Sequence, residues 1–187
     1  MAVTKSSQKV LDYFTQNLLT NGKQRITLAL WWLRVTEWNA QGGLGMFCGG
    51  DFHSIDDKSR IIVPLKHRLQ LGERFFITRG LNGCLWVLGQ EQFQKLGQQL
   101  DAQPAFSEHA VLLERVIFAD AVETTADSQG RVFIPADLCK HAGLEKEVKI
   151  VGTRSRVEIW SKDRWSAYME SIDDDLIKTS LREVGLG

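Results

Sequence analysis

The sequence predicts an α+β fold, mostly β: two tandem units related by a pseudo-twofold, interlocked into one barrel-like core with short helices. Three observations carry this expectation. The 187 residues are 43% hydrophobic and 25% charged with three prolines, the balance of a globular chain with little room for long linkers. One pattern recurs at an offset of 71 residues. Within it, strand-like runs alternate with polar turns and end on proline. A unit of roughly sixty-five residues with four short strands cannot bury both faces of its sheet, so two units must share a core.

The repeat aligns Asp56 to Pro64 with Asp127 to Pro135, each reading Asp, three residues, Arg, three apolar residues, Pro. Further on, Leu71-Gly72 falls on Ala142-Gly143 and, after a one-residue insertion, Phe76 on Val148, Leu88 on Trp160 and Phe93 on Trp165. This organisation divides the chain into an extension (1–45), a first unit (46–103), a second unit (104–168) and a tail (169–187).

The extension differs in character from the rest. It holds Lys5, Lys9, Lys23, Arg25 and Arg34 against Asp12 and Glu37, a surplus of three positive charges that the remainder of the neutral chain balances. Its apolar run Ile26 to Leu33 stops at Arg34, short of the ~20 residues that span a bilayer, and lacks a small-residue cleavage site. The preferred reading is a poorly ordered appendage before a second translation start at Met46, over a basic arm for DNA, membrane or a partner. Gln41 to Gly45 forms the joint.

In the first unit, Gly50 to Ile55 reads as a strand, Asp56 to Ser59 as a turn and Arg60 to Val63 as a strand. A helix follows over Leu65 to Leu71, then strands at Phe75 to Thr78 and Cys84 to Leu88. Gln90 to Leu100 is helical, with Phe93, Leu96 and Leu100 on one face. Ser107 to Phe118 is dense in apolar residues and reads as a buried helix rather than a strand. In the second unit, Ala121 to Ala126 and Arg131 to Ile134 read as a hairpin about Asp127 to Gly130, whose glycine suits positive φ. Pro135 ends the strand and opens a helix to His141 that Gly143 closes. Strands at Glu147 to Val151 and Arg156 to Trp160 precede a last helix capped by Ser161.

Several function classes lose support at this stage. Cys48, Cys84 and Cys139 form no CxxC pair, and His53, His67, His109 and His141 are scattered, so neither a disulfide framework nor a metal site is expected. A Gly-rich phosphate loop and a GxSxG nucleophile are also missing, so the chain reads as no enzyme, with no cofactor and no small-molecule substrate. Asp173-Asp174-Asp175 reads as a solvated charge run near a helix end. Trp86, Trp160 and Trp165 read as packing residues.

Met46-Phe47, the Asp56-Asp57-Lys58-Ser59-Arg60 turn, Thr78-Arg79-Gly80-Leu81-Asn82-Gly83-Cys84-Leu85 and Glu158-Ile159-Trp160-Ser161-Lys162-Asp163-Arg164-Trp165 together resemble the MraZ family, from Met46 to about Tyr168. That resemblance implies a bacterial transcriptional regulator of the AbrB-like, swapped-hairpin class, with duplicated units and ring assembly. It implies binding to G-rich direct repeats upstream of its own operon, the division and cell-wall cluster, through the motif arginines, here Arg60 and Arg131. Lys58 and Gln129, two residues earlier, are the secondary contacts. Ser59 stands where the family's first turn usually has glycine. A side chain in a left-handed conformation costs ~1 kcal/mol or more, so that turn is expected to differ from the second. Cys48 replaces a basic or larger residue, which removes one contact.

The chemistry is consistent with that implication. Arginine's planar fork takes guanine O6 and N7 together, and an Asp four residues earlier can accept from the turn's backbone and hold the guanidinium. Asp56, Asp127 and Gly130 are therefore read as structural turn residues. A chain of zero net charge binds DNA weakly alone, whereas a ring homo-oligomer repeats one basic face along spaced sites. The expected partners are double-stranded DNA and further copies of the chain, without membrane, in the cytoplasm at the nucleoid. The alternative is an AbrB-like protein-interaction or antitoxin-type module without operator binding.

Overall fold

The computed structural model describes residues 46–104 and 107–186. The expectations for residues 1–45, with Trp31, Trp32 and Trp38, lie outside the described residues. In chain order the elements are β1 (Gly50–Ser54), β2 (Arg60–Ile62), α1 (Leu65–Leu71), β3 (Phe75–Arg79), β4 (Leu85–Gly89) and α2 (Gln90–Asp101). Next comes α3 (Glu108–Leu113), running into a π-helical turn at Glu114–Phe118. The second half supplies β5 (Val122–Thr124), β6 (Arg131–Phe133), α4 (Ala136–Ala142), β7 (Glu147–Gly152), β8 (Val157–Ser161), α5 (Lys162–Glu170) and α6 (Asp174–Glu183).

The punctuation residues act where their chemistry places them. Pro64 and Pro135 hold φ at −52° and −57° at the N-caps of α1 and α4, ending the strands before them. Gly143 adopts φ 62° and closes α4. The Ser161 hydroxyl accepts the Arg164 N–H at 3.4 Å, and Asp173 accepts the Leu176 N–H at 2.7 Å, so the acidic run is a helix cap.

Two hydrogen-bonded layers result: a six-stranded antiparallel sheet in the order β1-β7-β8-β4-β3-β5, and a two-stranded ribbon of β2 and β6. Exchanging the halves, β1 with β5, β3 with β7 and β4 with β8, maps the sheet order onto itself in reverse. The ribbon has the same symmetry, since Arg60 faces Phe133, Ile61 faces Val132 and Ile62 faces Arg131. The expected pseudo-twofold is thus a property of the ladders themselves.

Two expectations need correction. The strands flanking each Asp-x-x-x-Arg turn do not pair as a hairpin ladder: across the first turn a single bridge joins Ile55 to Ile61, and otherwise β1 pairs with β7, β5 with β3, and β2 with β6. The turn closes locally through Asp56 N–H to Arg60 C=O at 2.9 Å, and Asp127 N–H to Arg131 C=O at 2.9 Å. Beyond it the ladder passes to the other half, through Val63 N–H to Gly130 C=O at 3.1 Å and Ile134 N–H to Ser59 C=O at 2.8 Å. A six-residue β7 offers β1 a longer ladder than three-residue β2 can. Secondly, the main sheet is open, with β1 and β5 as edges, and no closed barrel forms among the described residues. The short ribbon packs over one sheet face and meets the β1 edge only through the Ile55–Ile61 bridge.

The interior lies between ribbon and sheet. Ile61, Val63, Val132 and Ile134 meet Phe47, Phe75, Leu85, Leu138, Ile150 and Ile159 there, all buried. Each such side chain contributes about 1.5–3 kcal/mol through loss of apolar surface to water. A second cluster, with Trp86, Leu88, Trp160 and Ile117, receives Phe93, Phe118 and Trp165. The Thr78 hydroxyl donates to the Ile117 carbonyl, tying the π turn to β3. Residues of β4 and β8 are buried at every position because both are central strands covered on two sides.

Candidate nucleic-acid interface

The two turns have the same construction. In the first, Asp56 Oδ1 accepts the backbone N–H groups of Lys58 at 3.0 Å and Arg60 at 2.8 Å, while Oδ2 takes Arg60 Nε–H at 2.8 Å. In the second, Asp127 Oδ1 accepts from Gln129 and Arg131 N–H at 2.9 Å each, and Oδ2 takes Arg131 Nε–H at 2.7 Å. One carboxylate thus shapes the turn and orients the guanidinium. These bonds hold both carboxyls below the ordinary carboxylate range, the Arg60 side chain being the main cause at Asp56 and the Arg131 backbone N–H at Asp127. Asp56 in turn raises Arg60 above the usual arginine value.

Asp127 engages Arg131 through Nε, while Asp56 engages Arg60 through Nε and, at 2.7 Å, Nη2 on the same side of the guanidinium, so the outer edge of each is left for a ligand. Asp56 and Asp127 occupy the side of each guanidinium, and the terminal nitrogens at its end can still donate in parallel. The ribbon register then decides where those ends lie. Because side chains alternate, Arg60, Ile62, Arg131 and Phe133 share one face, while Ile61 and Val132 point into the core. Arg60 and Arg131 are diagonal neighbours, about 7–8 Å apart in a ladder of this type. Their side chains are 29% and 32% exposed, and the intervening Ile62 and Phe133 remain 52% and 55% exposed, so the face is open. Lys58 and Gln129 are exposed at the turn tips.

The first turn does not differ in type from the second, contrary to expectation. Ser59 takes φ 56° and Gly130 φ 79°, both left-handed, with matching hydrogen bonds. What differs is the residue behind each. The Arg68 Nε–H donates to the Val63 carbonyl at 3.0 Å, and its guanidinium covers Gly130 so closely that a β-carbon there would lie 2.7 Å from it. Seventy-one residues on, Cys139 donates Sγ–H to the equivalent Ile134 carbonyl at 3.5 Å and lies beside Ser59. A compact thiol leaves room for the serine side chain, whereas a β-carbon at Gly130 would have to displace the end of the Arg68 side chain. Sequence reading passed over Arg68, Cys139, Ile62 and Phe133; the repeat alignment already sets Arg68 on Cys139, and that mismatch was the available signal.

A family model described as "MraZ protein, putative antitoxin-like" matches residues 46–116 and again residues 117–186. The chain belongs to the MraZ family. Among MraZ relatives, the transcriptional regulator MraZ of Heliobacterium modesticaldum is 46% identical over 125 residues, covering 67% of this chain and 87% of the relative. That of Lachnoclostridium phytofermentans is 46% identical over 142 residues, covering 75% of this chain and 99% of the relative. The transcriptional regulator MraZ of Halothermothrix orenii is 39% identical over 143 residues, covering 75% of this chain and all of the relative. As a MraZ member, the chain is a transcription regulator and not an enzyme.

Proposed function

We propose that the chain regulates transcription by binding double-stranded DNA at G-rich direct repeats upstream of its own operon. Arg60 and Arg131 present their free ends to guanine O6 and N7, with Lys58 and Gln129 as flanking contacts and Asp56, Asp127 and Gly130 shaping the turns. The observation that carries the reading is the ribbon register, which sets two carboxylate-braced guanidiniums on one open face. A two-stranded ribbon is of a size the major groove admits. The repeat units of residues 46–103 and 104–168 act as one body, in a ring homo-oligomer that supplies the avidity a neutral chain lacks, and work in the cytoplasm at the nucleoid.

The test is fluorescence anisotropy on the duplex directly upstream of the protein's own reading frame, with a scrambled duplex as control. Arg60→Ala and Arg131→Ala each weaken specific binding about tenfold or more, and the pair together brings it to the level of the scrambled duplex. Unchanged binding by the double variant refutes the reading. The antitoxin-type alternative draws on the exposed Leu176 and Ile177 of α6, and gains if the wild type ignores both duplexes.

A further inference from the structure

The two turns are alike in backbone and unlike in charge. Arg68 is half-buried, gives its Nε–H to the neutral Val63 carbonyl, and faces no carboxylate among the described residues, unlike Arg60 and Arg131. A half-buried cation without a counter-charge is under-solvated, and an arriving anion relieves it. Its position fits that role, because it lies against Gly130, the residue preceding Arg131. We propose that Arg68 is a DNA-phosphate contact of the second turn, supplying there the second cation that Lys58 supplies at the first turn and that the neutral Gln129 does not. This rests on the DNA-binding reading above and names a residue that the Asp-x-x-x-Arg motif does not contain.

The two tips then match in cation number and differ in where the second cation comes from: Lys58 stands at the exposed end of the first turn itself, whereas Arg68 reaches Gly130 from α1.

The experiment measures affinity across salt for the full chain on the duplex directly upstream of its own reading frame, alongside urea unfolding. Arg68→Gln keeps a donor for the Val63 carbonyl but drops the charge. It is expected to unfold near the wild-type midpoint, to bind about tenfold more weakly, and to lower the log–log salt slope by about 0.9. The paired substitution Ser59→Gly with Cys139→Arg places the same arginine–glycine pair at the first turn, and is expected to tighten binding and steepen the slope by about 0.9. Slopes that stay at the wild-type value in both variants, while Arg131→Ala still abolishes specific binding, overturn the role of Arg68 and leave the DNA reading standing. A wild type that fails to bind the duplex removes both together.

Discussion

His67→Leu is expected to make the protein more stable and to remove part of its acid sensitivity. His67 is 1% exposed on α1, its ring 6.0 Å from that of Phe47, and neither imidazole nitrogen finds a partner among the described residues. Its counterpart in the second half, Leu138, is 2% exposed in the same core. A neutral imidazole carries one donor and one acceptor, and leaving such groups dry costs about 1–3 kcal/mol, so leucine should gain an amount of that order. Burial pushes the His67 pKa below its ordinary value, with the Lys66 ammonium and His53 adding to the effect and Asp51 opposing it. The sign follows. Between the unfolded value near ~6.5 and the depressed folded value, only the unfolded chain binds the proton, so stability falls as pH drops below about 6.5, by up to ~1.4 kcal/mol per pH unit. Urea unfolding followed by tryptophan fluorescence at pH 7.5 and pH 5, at one protein concentration, measures both effects. A His67→Leu variant that is less stable at pH 7.5, or that loses as much stability as wild type on acidification, would refute the reasoning.

Two further outcomes follow from the core and from the proposed assembly. Ile61→Ala opens a cavity where ribbon meets sheet and should cost about 2–5 kcal/mol in urea unfolding; a loss below about 1 kcal/mol would mean that the ribbon contributes little to the fold. Sedimentation velocity at micromolar concentration should find the full chain as a closed oligomer several times its 21.2 kDa mass, and a monomer would contradict the ring.

Much of the architecture is legible in the residue order because its signals are local. Pro64, Pro135, Gly143 and Ser161 act within a few residues of themselves, and their chemistry marks helix and strand limits with little help from the fold. The Asp-x-x-x-Arg turn is local too: every bond that Asp56 makes lies within four residues of it. What stayed hidden is non-local. The choice of β7 over β2 as partner for β1 depends on ladder length across nearly a hundred residues, which no propensity encodes. The acceptance of Ser59 in a left-handed conformation depends on the small Cys139 behind it, a relation between the halves. The close approach of Arg68 to Gly130 has the same origin.

Strand exchange also orders events during synthesis. The ladder partner of β2 is β6, and the partner of β1 is β7, so neither can be satisfied while only the first half has left the ribosome. The nascent chain therefore holds Ile61 and Val63 uncovered until the residues through Gly152 emerge. Commitment to the native topology therefore comes late in translation.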